Sequence, residues 1–159
     1  MIGEATSVQT IRILTPGAGD VTGDPAVCLD RYLIEARDSG ALVALVEHTL
    51  APGVLAAPMH RHSREDEYSH VLQGVLGVVQ DDDEATAEAA AVVFKPRGHW
   101  HTFWNAGDET LRVLEIITPL GWKDFSEGSP SRVPTTIHRH VRRSPRSTDA
   151  RSTLTGPCC

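Results

Sequence analysis

The chain has 159 residues, of which 40% are hydrophobic and 23% are charged, and this composition is typical of one soluble globular domain with its own core. It lacks the run of about 18 apolar residues that a membrane span needs, and its opening stretch, MIGEATSVQTIR, lacks the basic and apolar regions of a secretory signal. Residues 1–128 carry nine basic and twenty acidic side chains, a balance that repels phosphate and argues against nucleic acid as a partner.

Short segments rich in apolar and β-branched residues recur along the chain, and Gly, Pro and Asp separate them. This pattern predicts an all-β sandwich or barrel. The predicted strands, in chain order, are Val8–Leu14, Val27–Ile34, Ala41–Leu50, Tyr68–Gln73, Val75–Gln80, Val92–Lys95, Trp100–Trp104 and Leu111–Thr118.

Three other segments complete the domain plan. Glu84–Ala91 has high helix propensity, but eight residues are marginal for a lone helix, so we interpret it as a strand and a turn. Pro119–Gly128 is expected to form a helical turn that closes the domain. Residues 129–159 are rich in Ser, Thr, Pro and Arg and predict a basic tail, disordered or loosely docked. The plan is an N-terminal strand extension over 1–29, one domain over 30–128 and the tail.

A first group of polar residues, Gly53-VLAAPM-His60-Arg-His62-SRED-Glu67-YSHVLQ-Gly74, has the spacing of a metal site. Two histidines at positions i and i+2 of a strand point to the same face. Glu67 follows a charged turn and could supply an oxygen ligand beside the two imidazoles, a set that suits first-row transition metals. The alternative is a histidine-rich surface loop without a metal.

A second group follows at Pro96-Arg-Gly98-HW-His101-TFW-Asn105. Pro96 and Gly98 predict a turn. His101 comes early on the next strand, where it could supply a third imidazole. Asn105 is the only asparagine in the chain, and we expect it to satisfy backbone groups at the end of that strand.

Together the two groups resemble the two motifs of the cupin superfamily, and in particular its small single-domain, quercetin-dioxygenase-like members. The motifs cover residues 53–105, and flanking strands extend the resemblance to about 30–125. One departure is Ala90, where the second motif begins with glycine; it concerns a turn. The resemblance implies a double-stranded β-helix, a jelly-roll-like barrel. It also implies one divalent transition metal (Fe, Mn, Ni, Co, Cu or Zn) held by His60, His62, Glu67 and His101.

Strand alternation predicts which side chains line the interior beside this site. If Glu67 points inward, so do Ser69 and Gln73, while His70 points outward. Phe103 shares the face of His101. We therefore predict a substrate pocket with Phe103, Gln73 and Ser69, and a catalytic role for Glu67, either as a ligand or as a base that partly dissociates from the metal. For the aromatic residues, core packing is the alternative.

Three functions fit these residues. The first is a dioxygenase-like oxidoreductase acting on a small enolic or aromatic compound, in which a metal with open coordination positions orients the substrate. The second is a non-redox isomerase or cyclase, and the third is a non-catalytic module that binds a small ligand. The partners expected are a small-molecule substrate and a second copy of the chain, paired through residues 1–30, with neither nucleic acid nor membrane. The three cysteines lack the spacing of a disulfide framework, which favours a cytoplasmic setting.

Overall fold

The computed structural model describes residues 11–119 and the backbone of 155–157. The chain forms two β-sheets whose inner faces share one hydrophobic core. The elements in order are β1 Asp20–Asp24, β2 Cys28–Ile34, α1 Ala36–Ser39, β3 Ala44–Leu50, β4 Val54–Leu55, β5 Asp66–Gln73, β6 Val75–Gln80, β7 Asp83–Glu88, β8 Val92–Lys95, β9 His101–Asn105, β10 Leu111–Thr118 and β11 Thr155–Pro157.

Six strands, in the order β1-β2-β3-β10-β5-β8, make the larger sheet, and five, in the order β11-β4-β9-β6-β7, make the smaller one. All neighbours pair antiparallel except β11 and β4, which pair parallel. Alternate residues of each long strand are buried, so one face of each sheet supplies the core and the other meets solvent. The predicted all-β architecture is therefore confirmed. Within the described part of the chain, no helix is both long and apolar enough to cross a membrane.

Most predicted strands form with nearly the expected bounds, because their apolar alternation coincides with the buried face. The interpretation of Glu84–Ala91 as a strand and a turn is also confirmed, since β7 ends at Glu88 and a turn follows. Ala90 lies in that turn with a φ of 71°. This left-handed conformation suits glycine far better than alanine, so the position where the sequence departs from the cupin motif is a strained one.

The N-terminal region differs from its prediction. Residues 11–14 form no strand, and Ile11 and Ile13 are 94% and 82% exposed, so this stretch has no apolar face against the core. Residues 1–10 lie outside the described part. The strand of this extension is instead β1, which pairs with β2 in a hairpin and is exposed at every residue. Its sequence, DVTGD, lacks the apolar alternation that marks a strand.

The structure describes only small parts of the two segments predicted after residue 118. Of the predicted helical turn over 119–128, only Pro119 is described, and of the predicted tail only residues 155–157, which pair with β4 as β11. That pairing places three residues of the predicted tail beside β4. Cys28, at the start of β2, is buried in the core.

Candidate metal centre

Four side chains from separate parts of the two motifs converge inside the fold. One ligand atom from each of His60, His62, Glu67 and His101 lies within 4.8 Å of every other. Glu67 comes from β5 in the larger sheet and His101 from β9 in the smaller one, so the cluster bridges the two sheets. Both are buried, whereas His60 and His62 are half-buried and lie toward solvent. The structure thus brings together the complete predicted ligand set.

Backbone pairing determines where two of the imidazoles lie. His60 and His101 face each other in a β-bridge, with hydrogen bonds in both directions between their backbone groups, at 3.0 and 2.8 Å. Their ring centroids are 4.6 Å apart. His60 Nδ1 lies 2.8 Å from the carbonyl oxygen of Pro58, and His101 Nδ1 lies 3.1 Å from that of His99. Because a carbonyl only accepts, each Nδ1 carries a proton, and in the neutral ring Nε2 presents a lone pair.

Glu67 completes the set with one of its two oxygens. Oε2 lies 3.0 Å from His62 Nε2 and 3.2 Å from His101 Nε2. In the neutral ring the lone pair on His101 Nε2 faces a carboxylate oxygen, so either a proton or a metal cation between the two atoms satisfies both of them. Burial lowers the pKa of His60, which keeps this imidazole in the neutral form that a metal requires. The donor set fits a divalent transition metal.

A buried polar network, formed by Ser69, Lys95 and Glu115, lies behind Glu67. The Lys95 ammonium donates to Glu67 Oε1 and, at 3.0 Å, to Glu115 Oε2, while the Ser69 hydroxyl donates to Glu115 Oε1. All three side chains are 1% exposed or less. Every buried side-chain nitrogen and oxygen in the described region has a hydrogen-bond partner, as a buried network requires.

The charges in this network follow from burial and from each other. Burial opposes ionisation of Glu67, but the Lys95 ammonium and several hydrogen bonds outweigh it and hold the pKa of this carboxyl well below its usual value. Burial, with the charge of Glu67, raises the pKa of Glu115 to about 8. Burial would also lower the pKa of Lys95, yet the two carboxyl groups raise it. Burial and the neighbouring carboxylate thus oppose ionisation of Glu115, whereas the Lys95 ammonium favours ionisation of Glu67.

An ion pair on the surface aligns the second motif with the first. Asp66, at the start of β5, accepts hydrogen bonds from the backbone and the guanidinium of Arg97 at 2.6–2.9 Å. These bonds lower the pKa of Asp66 to about 2. In the same turn, the amide of Gly98 donates to the carbonyl of His62 at 2.7 Å. The turn before β9 is therefore tied to the loop that carries His62.

The predicted pocket residues have different positions. Phe103 is buried, with its ring 4.5 Å from Lys95 Nζ and 5.6 Å from the ring of His48. Ser69 is buried, but its hydroxyl is bonded to Glu115. Gln73 is exposed, contrary to the alternation. The pairing of β5 with β10 shifts register between Arg112 and Val113, and this bulge ends the alternation before Gln73.

Lys95 and Glu115 are the functional candidates that the sequence analysis missed. Glu115 falls on the same alternation as Leu111 and Val113, which marks it as an inward-facing acid on a buried strand. Lys95 falls directly before the Pro96 turn, and β8 pairs it with Glu67. An ionisable residue at a core position of a strand was the available clue. The partners themselves lie in other strands and could not be identified from one sequence.

Comparison with known proteins agrees with this geometry. Residues 46–117 match the family model of the cupin domain. The chain is 45% identical over 73 residues to "Oxidoreductase iacF" of Pestalotiopsis fici, covering 45% of this chain and 34% of that protein. It is 32% identical over 91 residues to "Tetracenomycin polyketide synthase protein TcmJ" of Streptomyces glaucescens, covering 57% and 60%. The chain therefore matches about a third and three-fifths of the lengths of these two relatives.

Solved structures share the fold at low identity. KdgF from Halomonas sp. superposes with a TM-score of 0.59 at 17% identity, covering 70% of this chain and 96% of that one. A protein from Thermotoga maritima, described as a predicted oxalate decarboxylase, has a TM-score of 0.59 at 17% identity and covers 69% and 100%. At such identities the likeness extends to the fold alone.

Proposed function

Because this chain belongs to the cupin superfamily, we propose that it is a metal-dependent oxidoreductase of dioxygenase type that acts on a small enolic or aromatic compound. The observation that carries the proposal is the convergence of three imidazoles and one carboxylate, with one ligand atom of each within 4.8 Å of every other. A set of four protein ligands leaves coordination positions open on an octahedral metal.

The metal, when bound, supplies Lewis acidity and a template for an anionic substrate, and the side chains do the rest. Pro58 and His99 hold the protons of His60 and His101 on Nδ1 through their carbonyl groups. Lys95 holds the inner oxygen of Glu67. Phe103, two residues after His101 on β9, is buried with its ring against Lys95 Nζ, so it keeps water from the ammonium behind Glu67. The same ligand set suits iron, manganese, nickel, cobalt, copper and zinc.

Two relatives support the reaction and substrate classes. One is named an oxidoreductase and the other a polyketide synthase protein. Polyketide chains contain β-dicarbonyl units, which enolise readily, and an enolate is the anion that such a metal site would bind. The second name equally favours a non-redox reaction, so a Lewis-acid isomerase or cyclase is our alternative function. A non-catalytic module that binds a small ligand is the third.

Elemental analysis of the purified protein is the first experiment, with His101→Ala as the test variant. His70→Ala is the matched control, because His70 lies on β5 between the buried residues Ser69 and Val71 but outside the cluster. We expect about one metal ion per chain in the native protein and in the control, and loss of the metal in His101→Ala. Absence of metal from the native protein, even after reconstitution, would refute the proposal.

Oxygen dependence then separates the functions. Metal-loaded protein should consume dioxygen with a flavonol, catechol or β-diketone probe. Turnover under strict anaerobiosis would instead favour the isomerase or cyclase. Shifts in melting temperature with these compounds, without turnover under either condition, would favour the ligand-binding module.

A homodimer formed through the N-terminal extension is a further part of the proposal. Strand β1 is an edge of the six-stranded sheet, and its outer side has no strand partner among the described residues. A second copy could pair there. The proposed location is the cytoplasm. Light scattering at micromolar concentration should give twice the mass of one chain; the mass of one chain would refute the dimer.

A further inference from the structure

The Lys95 ammonium occupies an unusual place, fully buried beside the candidate metal centre. Strand pairing sets Lys95 directly opposite Glu67, and Nζ lies over the ring of Phe103 at 4.5 Å. Nζ donates to Glu67 on one side and to Glu115 on the other. A buried lysine is retained only where such partners compensate its charge. Here the partner on one side is a candidate metal ligand.

The two oxygens of Glu67 have separate partners. Oε1 accepts from Lys95, whereas Oε2 lies 3.0 Å from His62 Nε2 and 3.2 Å from His101 Nε2. At Oε1 a metal ion would compete with the Lys95 ammonium for the electron density of the same oxygen, whereas Oε2 has no ammonium partner. The Lys95 contact therefore favours Oε2 as the single oxygen that binds a metal ion.

We propose that Lys95 is a positioning residue that holds Glu67 as a ligand through a single oxygen and keeps it in place during turnover. This inference rests on the proposed metal site. Glu67 cannot swing out as a base without leaving the buried ammonium with Glu115 alone, and breaking a buried ion pair is costly. The role of resident ligand thus replaces the expectation that Glu67 also acts as a base.

Glu115 and Ser69 prevent Lys95 from following Glu67. Glu115 Oε2 accepts from Nζ at 3.0 Å, and the Ser69 hydroxyl donates to the other oxygen of Glu115. All lie on paired strands, with Ser69 directly opposite Glu115. The chain of contacts from β10 through β8 to β5 fixes the ammonium from the side away from the cluster.

Cobalt(II) binding tests the inference, with Lys95→Met as the test variant. Arg112→Met is the matched control, because it also removes one cation from an ion pair, with Glu47, away from the site. We expect Lys95→Met to bind Co²⁺ about 10–100-fold more weakly and to change its visible spectrum, because Glu67 is freed to bind through both oxygens. Arg112→Met should keep the native affinity and spectrum. Native affinity or tighter binding in Lys95→Met, with an unchanged spectrum, would show that Lys95 only balances core charge.

Two further measurements keep the inference open to refutation. If Lys95→Met fails to fold, the double variant Lys95→Met/Glu115→Gln also removes the second buried acid, which would otherwise lie beside Glu67 without its cation, and it should show the same weakened Co²⁺ binding. A crystal structure of the native protein with Co²⁺ should show Oε2 of Glu67 on the metal and Oε1 on Lys95; both oxygens on cobalt would overturn the inference. Native protein that binds no Co²⁺ overturns the metal site as well, whereas a native-like Lys95→Met overturns the positioning role alone.

Discussion

Asn105, the only asparagine in the chain, joins three backbone groups at the end of β9. Its Nδ2 donates to the carbonyls of Leu50 and Glu109 at 2.9 and 2.7 Å, and its Oδ1 accepts from the amide of Gly107 at 2.9 Å. Asn105 is 1% exposed and Leu50 is fully buried. Water therefore cannot readily replace the amide, and substitution by alanine should be costly.

The expected cost follows from those bonds. A buried group that loses its partner costs about 1–3 kcal/mol, and three groups lose theirs in Asn105→Ala. Since the surroundings relax in part, we expect the free energy of unfolding to fall by about 3 kcal/mol. At about 2–4 °C per kcal/mol for a chain of this size, the melting temperature should fall by roughly 6–12 °C.

Urea denaturation followed by circular dichroism measures this change. Asn105→Asp is the informative companion, because it keeps an oxygen for the Gly107 amide but turns a second oxygen toward the carbonyls of Leu50 and Glu109. It should be at least as destabilising at neutral pH. A loss of less than about 0.5 kcal/mol in Asn105→Ala, the range of an ordinary surface substitution, would refute the reasoning.

Three other predictions concern strain, metal binding and pH. Ala90→Gly should raise the free energy of unfolding by about 0.5–1 kcal/mol, because the φ of 71° is strained for alanine. The control Ala87→Gly, within β7, should lower the free energy of unfolding. A lower free energy of unfolding in both variants would contradict this prediction. Co²⁺ at a hundred times its dissociation constant should stabilise the native protein by about 2.7 kcal/mol, and His62→Ala, at a half-buried ligand, should fold yet show no such gain in a thermal melt. The backbone amide of Glu35 donates to Asp38 at 3.0 Å, and this hydrogen bond, together with the Arg12 guanidinium, lowers the pKa of Asp38 below its ordinary value of 3.8. The ionised Asp38 should therefore stabilise the fold fully above pH 3.8, and this stabilisation should be lost as the pH falls further. Carbon NMR should show that low pKa, and Asp38→Asn should lose this part of the acid dependence.

The sequence predicts the strands best where burial alternates. Leu111–Thr118 forms as β10 with the predicted bounds because its apolar residues alternate with polar ones. The same rule misled at Val8–Leu14, where the apolar residues that the structure describes have no core to face, and at Gln73, where a bulge reverses the orientation. Strand β1 went unnoticed because a hairpin edge needs pairing rather than apolar residues. Apolar alternation identifies strands that bury one face, so it does not detect a strand that forms through backbone pairing alone.

The ligand set was accessible from spacing, but the network behind it was not. His60, His62 and Glu67 lie close together in the chain, so one stretch of sequence reveals them. Lys95 and Glu115 each look like an isolated charge in an apolar strand, and only the pairing of β5 with both β8 and β10 shows that they meet. Long-range register of this kind cannot be obtained from one sequence.

The four candidate metal ligands differ in how firmly the fold holds them. The β-bridge between His60 and His101 fixes their backbones, and carbonyl groups fix their ring protons. Lys95 anchors Glu67. His62 is the exception: it is half-buried, and its imidazole contacts the carboxylates of Glu65 and Glu67 rather than a backbone carbonyl. Three ligands are thus prepared by the fold, and the fourth, on the solvent side, is the one whose order should depend most on the metal.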